Sequence, residues 1–115
     1  MGELTGLLGE VGGVTMAQHI NARELTEWQA KAVPLVLIDV RFAQIGTIPE
    51  AIHVPVTDLE DREWHWDPNA RIVVFCQYGR GASEYAAEVL EEQGYSQVFQ
   101  LVGGIEAWNA ALSPG

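Results

Sequence analysis

The chain has 115 residues, one cysteine and a formal net charge of −10. That is enough for one domain with a sizeable core and too little for two. The charge repels nucleic acid and anionic membrane, so neither is expected as a partner, and it opposes anionic substrates at long range. No apolar run approaches the roughly 20 residues that span a bilayer, and no basic segment leads into an apolar stretch at the start. A single cysteine excludes an intramolecular disulfide and Cys-x-x-Cys chemistry, and a reduced, cytoplasmic setting is expected.

Residues 1–15 are rich in glycine and read as an N-terminal arm, either mobile or partner-binding. The domain proper is expected over residues 16–115. His19-Ile20-Asn21 reads as a short first strand. Asn21 is a suitable N-cap for a helix from Ala22 to Ala30, where Leu25 and Trp28 share a face. Pro34 closes that helix. Leu35 to Val40 is an apolar run of the kind found in parallel strands buried on both faces. Asp39 and Arg41 stand at its C-terminal end, where open α/β sheets place their sites. The plainer reading, a local ion pair or turn residue, is the favoured one for each.

Gly46 to Ala51 is a turn, and Ile52-His53-Val54 a short strand stopped by Pro55. Thr57 is expected to cap a helical turn through Asp58, Leu59, Glu60 and Asp61. The acidic cluster there reads as a solvated face rather than a metal site. Trp64-His65-Trp66 leads into the turn Asp67-Pro68-Asn69. None of His19, His53 and His65 has a second histidine at ligand spacing, so no metal is expected.

The segment from Arg71 to Ser83 organises the rest. Ile72-Val73-Val74-Phe75 is a buried strand that ends at Cys76. A short loop follows, Gln77-Tyr78-Gly79-Arg80-Gly81-Ala82, and Ser83 is expected to open a helix as its N-cap. A strand, a tight loop and a helix N-terminus make an anion cradle from backbone N–H groups and the helix dipole. A thiol at its base suits a nucleophile whose substrate or adduct is anionic. The plainer reading of a lone cysteine at a strand end is a small buried hydrophobe. Gly94 ends this helix, Val98 to Leu101 forms another strand, and Val102-Gly103-Gly104 turns into a helix from Ile105 to Leu112 with Trp108 inward. The alternation of strands and helices predicts an α/β fold: a mostly parallel sheet of about five strands with helices on both faces.

Four segments resemble those of a single rhodanese domain. Leu37-Ile38-Asp39-Val40-Arg41 resembles the family's strand ending in Asp-Val-Arg. Gly46-Thr47-Ile48-Pro49-Glu50-Ala51 resembles its Gly-His-Ile-Pro-Gly-Ala turn. Val73 to Ser83 resembles its active-site loop, and Leu101 to Trp108 its closing Gly-Gly-aromatic helix. The resemblance runs from about Ile20 to Leu112. It implies a rhodanese-like fold and sulfurtransfer. Cys76 would be the nucleophile and would carry sulfane sulfur from thiosulfate or another persulfide donor to a thiophilic acceptor. The loop from Gln77 to Ala82 would bind substrate through its N–H groups and Arg80, supported by Asp39, Arg41 and Ser83. No cofactor is implied. The partners would be a small-molecule sulfur donor and an acceptor, which could be a protein thiol.

The chain departs from the family pattern in three places. Thr47 and Glu50 stand where histidine and glycine are usual. The stretch between Arg41 and Gly46 is about three residues short. Gly81 and Ala82 occupy the places of an arginine and a hydroxyl residue, which implies a loop longer by one residue. Longer loops occur in related cell-cycle phosphatases and arsenate reductases. An oxyanion enzyme of that type, or a non-catalytic binding module on the same fold, are the alternatives to sulfurtransfer.

Overall fold

The computed structural model describes residues 18–42, 46–62, 64–79 and 81–112. The expected arm at residues 1–15 lies outside them. The described elements are β1 (Gln18–Ile20), α1 (Ala22–Ala30), β2 (Val36–Asp39), β3 (Ile52–His53), α2 (Val56–Asp61), β4 (Arg71–Phe75), α3 (Ala82–Glu92), β5 (Gln97–Leu101) and α4 (Gly104–Leu112). The strands form one sheet in the order β1-β5-β4-β2-β3. Every pairing is parallel, so the expected mostly parallel sheet is parallel throughout the described residues.

Strand alternation divides the core in two. Ile38, Val40, Ile72, Val74 and Val98 pack with Leu59 of α2 and with Ala86, Ala87 and Leu90 of α3. Leu37, Val73, Phe75, Phe99 and Leu101 pack on the other face with Leu25 of α1 and with Ile105 and Trp108 of α4. Successive side chains of a strand point to opposite faces, so both faces of β4 are apolar because both are covered. The rhythm Ile72, Val74, Cys76 carries past the strand end and aims the cysteine at the face of α3.

Local signals explain the element boundaries. Asn21 caps α1: its Oδ1 accepts from the Glu24 N–H at 2.8 Å, and Glu24 Oε1 accepts from the Asn21 N–H at 3.0 Å. Gly94 follows α3 at φ 102° and donates its N–H to Glu91 O. The Asp67 carboxylate accepts from the Asn69 N–H at 2.8 Å and closes the expected turn. Trp64 and Trp66 stack at 4.8 Å, and the Tyr95 hydroxyl donates to Trp64 O. Two caps differ from expectation. Thr57 lies inside α2, which starts one residue after Pro55, a residue already fixed in extended geometry. Ser83 lies in the first turn of α3, whose N-cap is Gly81.

Candidate active site

Parallel strands gather their C-terminal ends, and β4 sits between β2 and β5. The register sets Asp39 opposite Phe75, and the Val40 N–H donates to Phe75 O. The residues after β2 and after β4 therefore emerge side by side. Together they line a cleft of about 390 Å³ formed by Val40, Arg41, Phe42, Cys76, Gln77, Tyr78 and Ala82. A larger groove of about 580 Å³, beside Leu35, Val36 and Arg71, lies at the opposite ends of the strands and is lined by no nucleophile.

Cys76 is at the floor of this cleft, 5% exposed. Its Sγ–H donates to Ser83 Oγ at 3.3 Å. In the thiolate the same hydroxyl can turn and donate to sulfur. Ser83 is fully buried in the first turn of α3, so the sulfur lies against the positive end of that helix. This contact is what Ser83 supplies in place of the expected cap.

The loop is held from behind by the head of α4. The Ile105 N–H donates to Cys76 O and the Glu106 N–H to Gln77 O. The backbones approach so closely that side chains are excluded. A Cβ on Gly104 would lie 2.3 Å from Cys76 O, and one on Gly79 2.6 Å from Gly103 N. The Gly103-Gly104 pair is thus part of the site's wall.

The loop is held from the side by Arg41. Its Nε and one terminal nitrogen donate to both Asp39 oxygens at 2.9 and 2.7 Å, and its other terminal nitrogen donates to Gln77 Oε1 at 3.0 Å. It also donates to Gly46 O. The Gln77 amide in turn donates to Glu106 Oε2. Thr47 Oγ1 donates to Asp39 at 3.1 Å. Burial pushes the Asp39 carboxyl up, but the bonds and charge of Arg41, aided by Thr47, leave it below its ordinary value. Asp39 likewise raises the already high value of Arg41. The pair is the local ion pair favoured from the sequence, extended to the loop through Gln77.

Of the residues singled out from the sequence, Cys76, Gln77, Tyr78, Ala82 and Arg41 line the cleft. Gly79 packs behind it, Gly81 caps α3, and Asp39 anchors Arg41. Arg80 lies outside the described residues. His53 bonds Arg41 O and His65 is exposed, so neither lines the cleft. Three contributors were not singled out for the site. Phe42 lines the cleft, Glu106 holds Gln77, and Thr47 bonds Asp39. Thr47 left a trace in the sequence as a departure from the family pattern, and Phe42 as an aromatic just past a strand end. Among the described residues no group of three or more histidines, cysteines or carboxylates could hold a metal ion, and no helix is long and apolar enough to cross a membrane.

A parallel α/β sheet that presents one cysteine at the head of a helix, walled by a Gly-Gly turn, is the arrangement of a rhodanese domain. The model of the rhodanese-like domain family matches residues 21–111, and the chain belongs to that family. It is 37% identical over 80 residues to thiosulfate sulfurtransferase GlpE of Ectopseudomonas mendocina, covering 67% of this chain and 72% of that one. It is 32% identical over 95 residues to the same-named protein of Coxiella burnetii, covering 80% and 84%. The solved rhodanese-like domain from Anabaena superposes with a TM-score of 0.74 at 27% identity, covering 86% of this chain and 78% of that one.

Proposed function

We propose that Cys76 carries sulfane sulfur as a persulfide between a donor and a thiophilic acceptor. Sulfurtransfer of the thiosulfate sulfurtransferase type is the chain's activity, and the persulfide on this residue is the step inferred. The observation that carries it is the cysteine sulfur at the floor of an open cleft, against the Ser83 hydroxyl and the head of α3.

In the first half-reaction the Cys76 thiolate attacks the outer sulfur of the donor. For thiosulfate the S–S bond breaks and sulfite leaves with its electron pair. In the second, the acceptor attacks the outer sulfur of the persulfide, and the Cys76 thiolate leaves. The N–H groups at the head of α3, which have no partner within the helix, and the Ser83 hydroxyl favour the anionic sulfur at each stage. Arg80 is the residue proposed to hold the anionic end of the donor. The acceptor is a small molecule or a protein thiol.

The test is the intact mass of the protein after incubation with thiosulfate, then with cyanide. One sulfur is expected to be gained and then lost. Cys76→Ser should keep its fold, gain no sulfur and show no transfer, because a hydroxyl cannot carry sulfane sulfur. Transfer near the wild-type rate in that variant would end the assignment.

A further inference from the structure

We infer that the acceptor of this sulfur is a small organic thiol with an apolar, preferably aromatic body and no negative charge. The inference rests on the persulfide reading and concerns what else enters the same cleft.

The cleft is far larger than sulfur transfer to an inorganic acceptor requires. Its volume of about 390 Å³ exceeds many times the share of one liquid water, about 30 Å³. Four of its seven lining residues, Val40, Phe42, Tyr78 and Ala82, are apolar or aromatic. Phe42 and Tyr78 are the two most exposed large hydrophobic residues among those described, at 71% and 61%. Both stand in the same cleft as the cysteine. Two exposed rings lining the same cleft as a nucleophile leave apolar surface that a ligand body can cover, and aromatic bodies gain further from ring–ring contact.

The polar groups of the described lining give an anionic acceptor little to hold. Arg41 is the only cation among the described lining residues, and its nitrogens are engaged by Asp39, Gln77 and Gly46. Its side chain is 9% exposed. Two carboxylates are bonded to the loop itself: Glu84 accepts from the Gly81 N–H, and Glu106 accepts from the Gln77 amide. The formal charge of −10 adds long-range repulsion of anions. In the transfer, the acceptor thiolate forms a bond to the outer persulfide sulfur. The bond from that sulfur to Cys76 Sγ breaks, and the electron pair stays on Cys76. The donor and the acceptor thus make different demands: a charged end for one, apolar cover for the other.

The experiment loads the full chain with sulfur, verifies the load by intact mass, and follows its discharge by three simple thiols. These are phenylmethanethiol, 2-mercaptoethanol and 3-mercaptopropionate, compared as thiolates. Phenylmethanethiol is expected to discharge the protein at least about tenfold faster than mercaptoethanol at subsaturating concentration, with mercaptopropionate slowest. Phe42→Ala and Tyr78→Ala should each shrink the aromatic preference, and Phe42→Trp should restore it. Reading the ratio between thiols separates recognition from a general loss of activity. Equal rates for the three thiols, or a preference untouched in the double alanine variant, overturns the inference. No sulfur on Cys76 removes the persulfide reading and this one together. A loaded protein without preference removes this one alone.

Discussion

Helices α1 and α3 begin with the same acidic residue three positions after the cap, yet their heads are built differently. In α1 the cap is Asn21, and cap and Glu24 satisfy each other's backbone N–H groups. In α3 the cap is Gly81, at φ 76° and ψ −97°, and only half of that exchange remains. Glu84 accepts from the Gly81 N–H, but glycine has no oxygen to offer in return. What comes to the head of α3 instead is the Cys76 sulfur, 3.3 Å from Ser83 Oγ. A capped head is satisfied within the fold, whereas an uncapped one keeps its N–H groups and partial charge for a ligand. The comparison teaches that a missing cap beside a cysteine is a functional signal.

The largest effect should come from the pair that holds the open head from the side. Asp39 is fully buried and binds Arg41 through both oxygens, and Arg41 reaches the loop at Gln77. Asp39→Ala leaves the Arg41 charge without its partner and should cost about 3–5 kcal/mol of stability, read by denaturant unfolding. The pair also predicts a pH dependence. Because Asp39 titrates lower folded than unfolded, its contribution is complete above the ordinary carboxylate value of about 3.9. It is lost as pH falls through the lowered folded value. Asp39→Asn should flatten that acid limb, and an unchanged limb would remove Asp39 from it.

A smaller effect is expected from the wall behind the loop. Gly104 sits at φ 62°, and a Cβ there would overlap Cys76 O. Gly104→Ala should cost about 1–3 kcal/mol and should slow sulfur loading, because the loop must shift to admit the methyl group. The loss of stability is read from unfolding and the loss of loading from mass against time. Loading at the wild-type rate in a destabilised variant would show that the wall supports the fold but does not set the geometry of the sulfur.

Most of this fold was legible because its signals are local. The apolar runs at Leu35–Val40 and Ile72–Phe75 set two strands covered on both faces, and Asn21 and Gly94 marked helix ends. The cysteine, its loop and the Gly-Gly turn were legible as ordered segments. What escaped depends on contacts between distant residues. Glu106 reaches Gln77 across 29 positions, and nothing in its own neighbourhood marks it. Ser83 misled for a physical reason. A hydroxyl residue before an apolar period normally caps a helix, but here its oxygen faces sulfur, and the cap lies two residues earlier, at Gly81. The extra loop residue rests on Gly81 and Ala82 standing where the family has an arginine and a hydroxyl residue, so it does not depend on that cap.

The smallest effects provide the most direct test of the two helix heads. Asn21→Ala removes the cap oxygen of α1 and exposes no new group near Cys76, so it should cost about 1 kcal/mol and leave the transfer rate unchanged. Gly81→Ala meets no atom within 4 Å, so its methyl group clashes with nothing. Its cost is backbone strain at a φ that L residues rarely adopt, about 1–2 kcal/mol. The chain can relieve that strain only by turning the residue that joins the loop to α3, which moves the helix head relative to the sulfur. The two variants should therefore be similar in unfolding midpoint and different in sulfur transfer, with Gly81→Ala the slower. Plotting rate against midpoint separates them. If Asn21→Ala slows transfer as much as Gly81→Ala does, general stability controls the rate, and the open head of α3 has no special part in it.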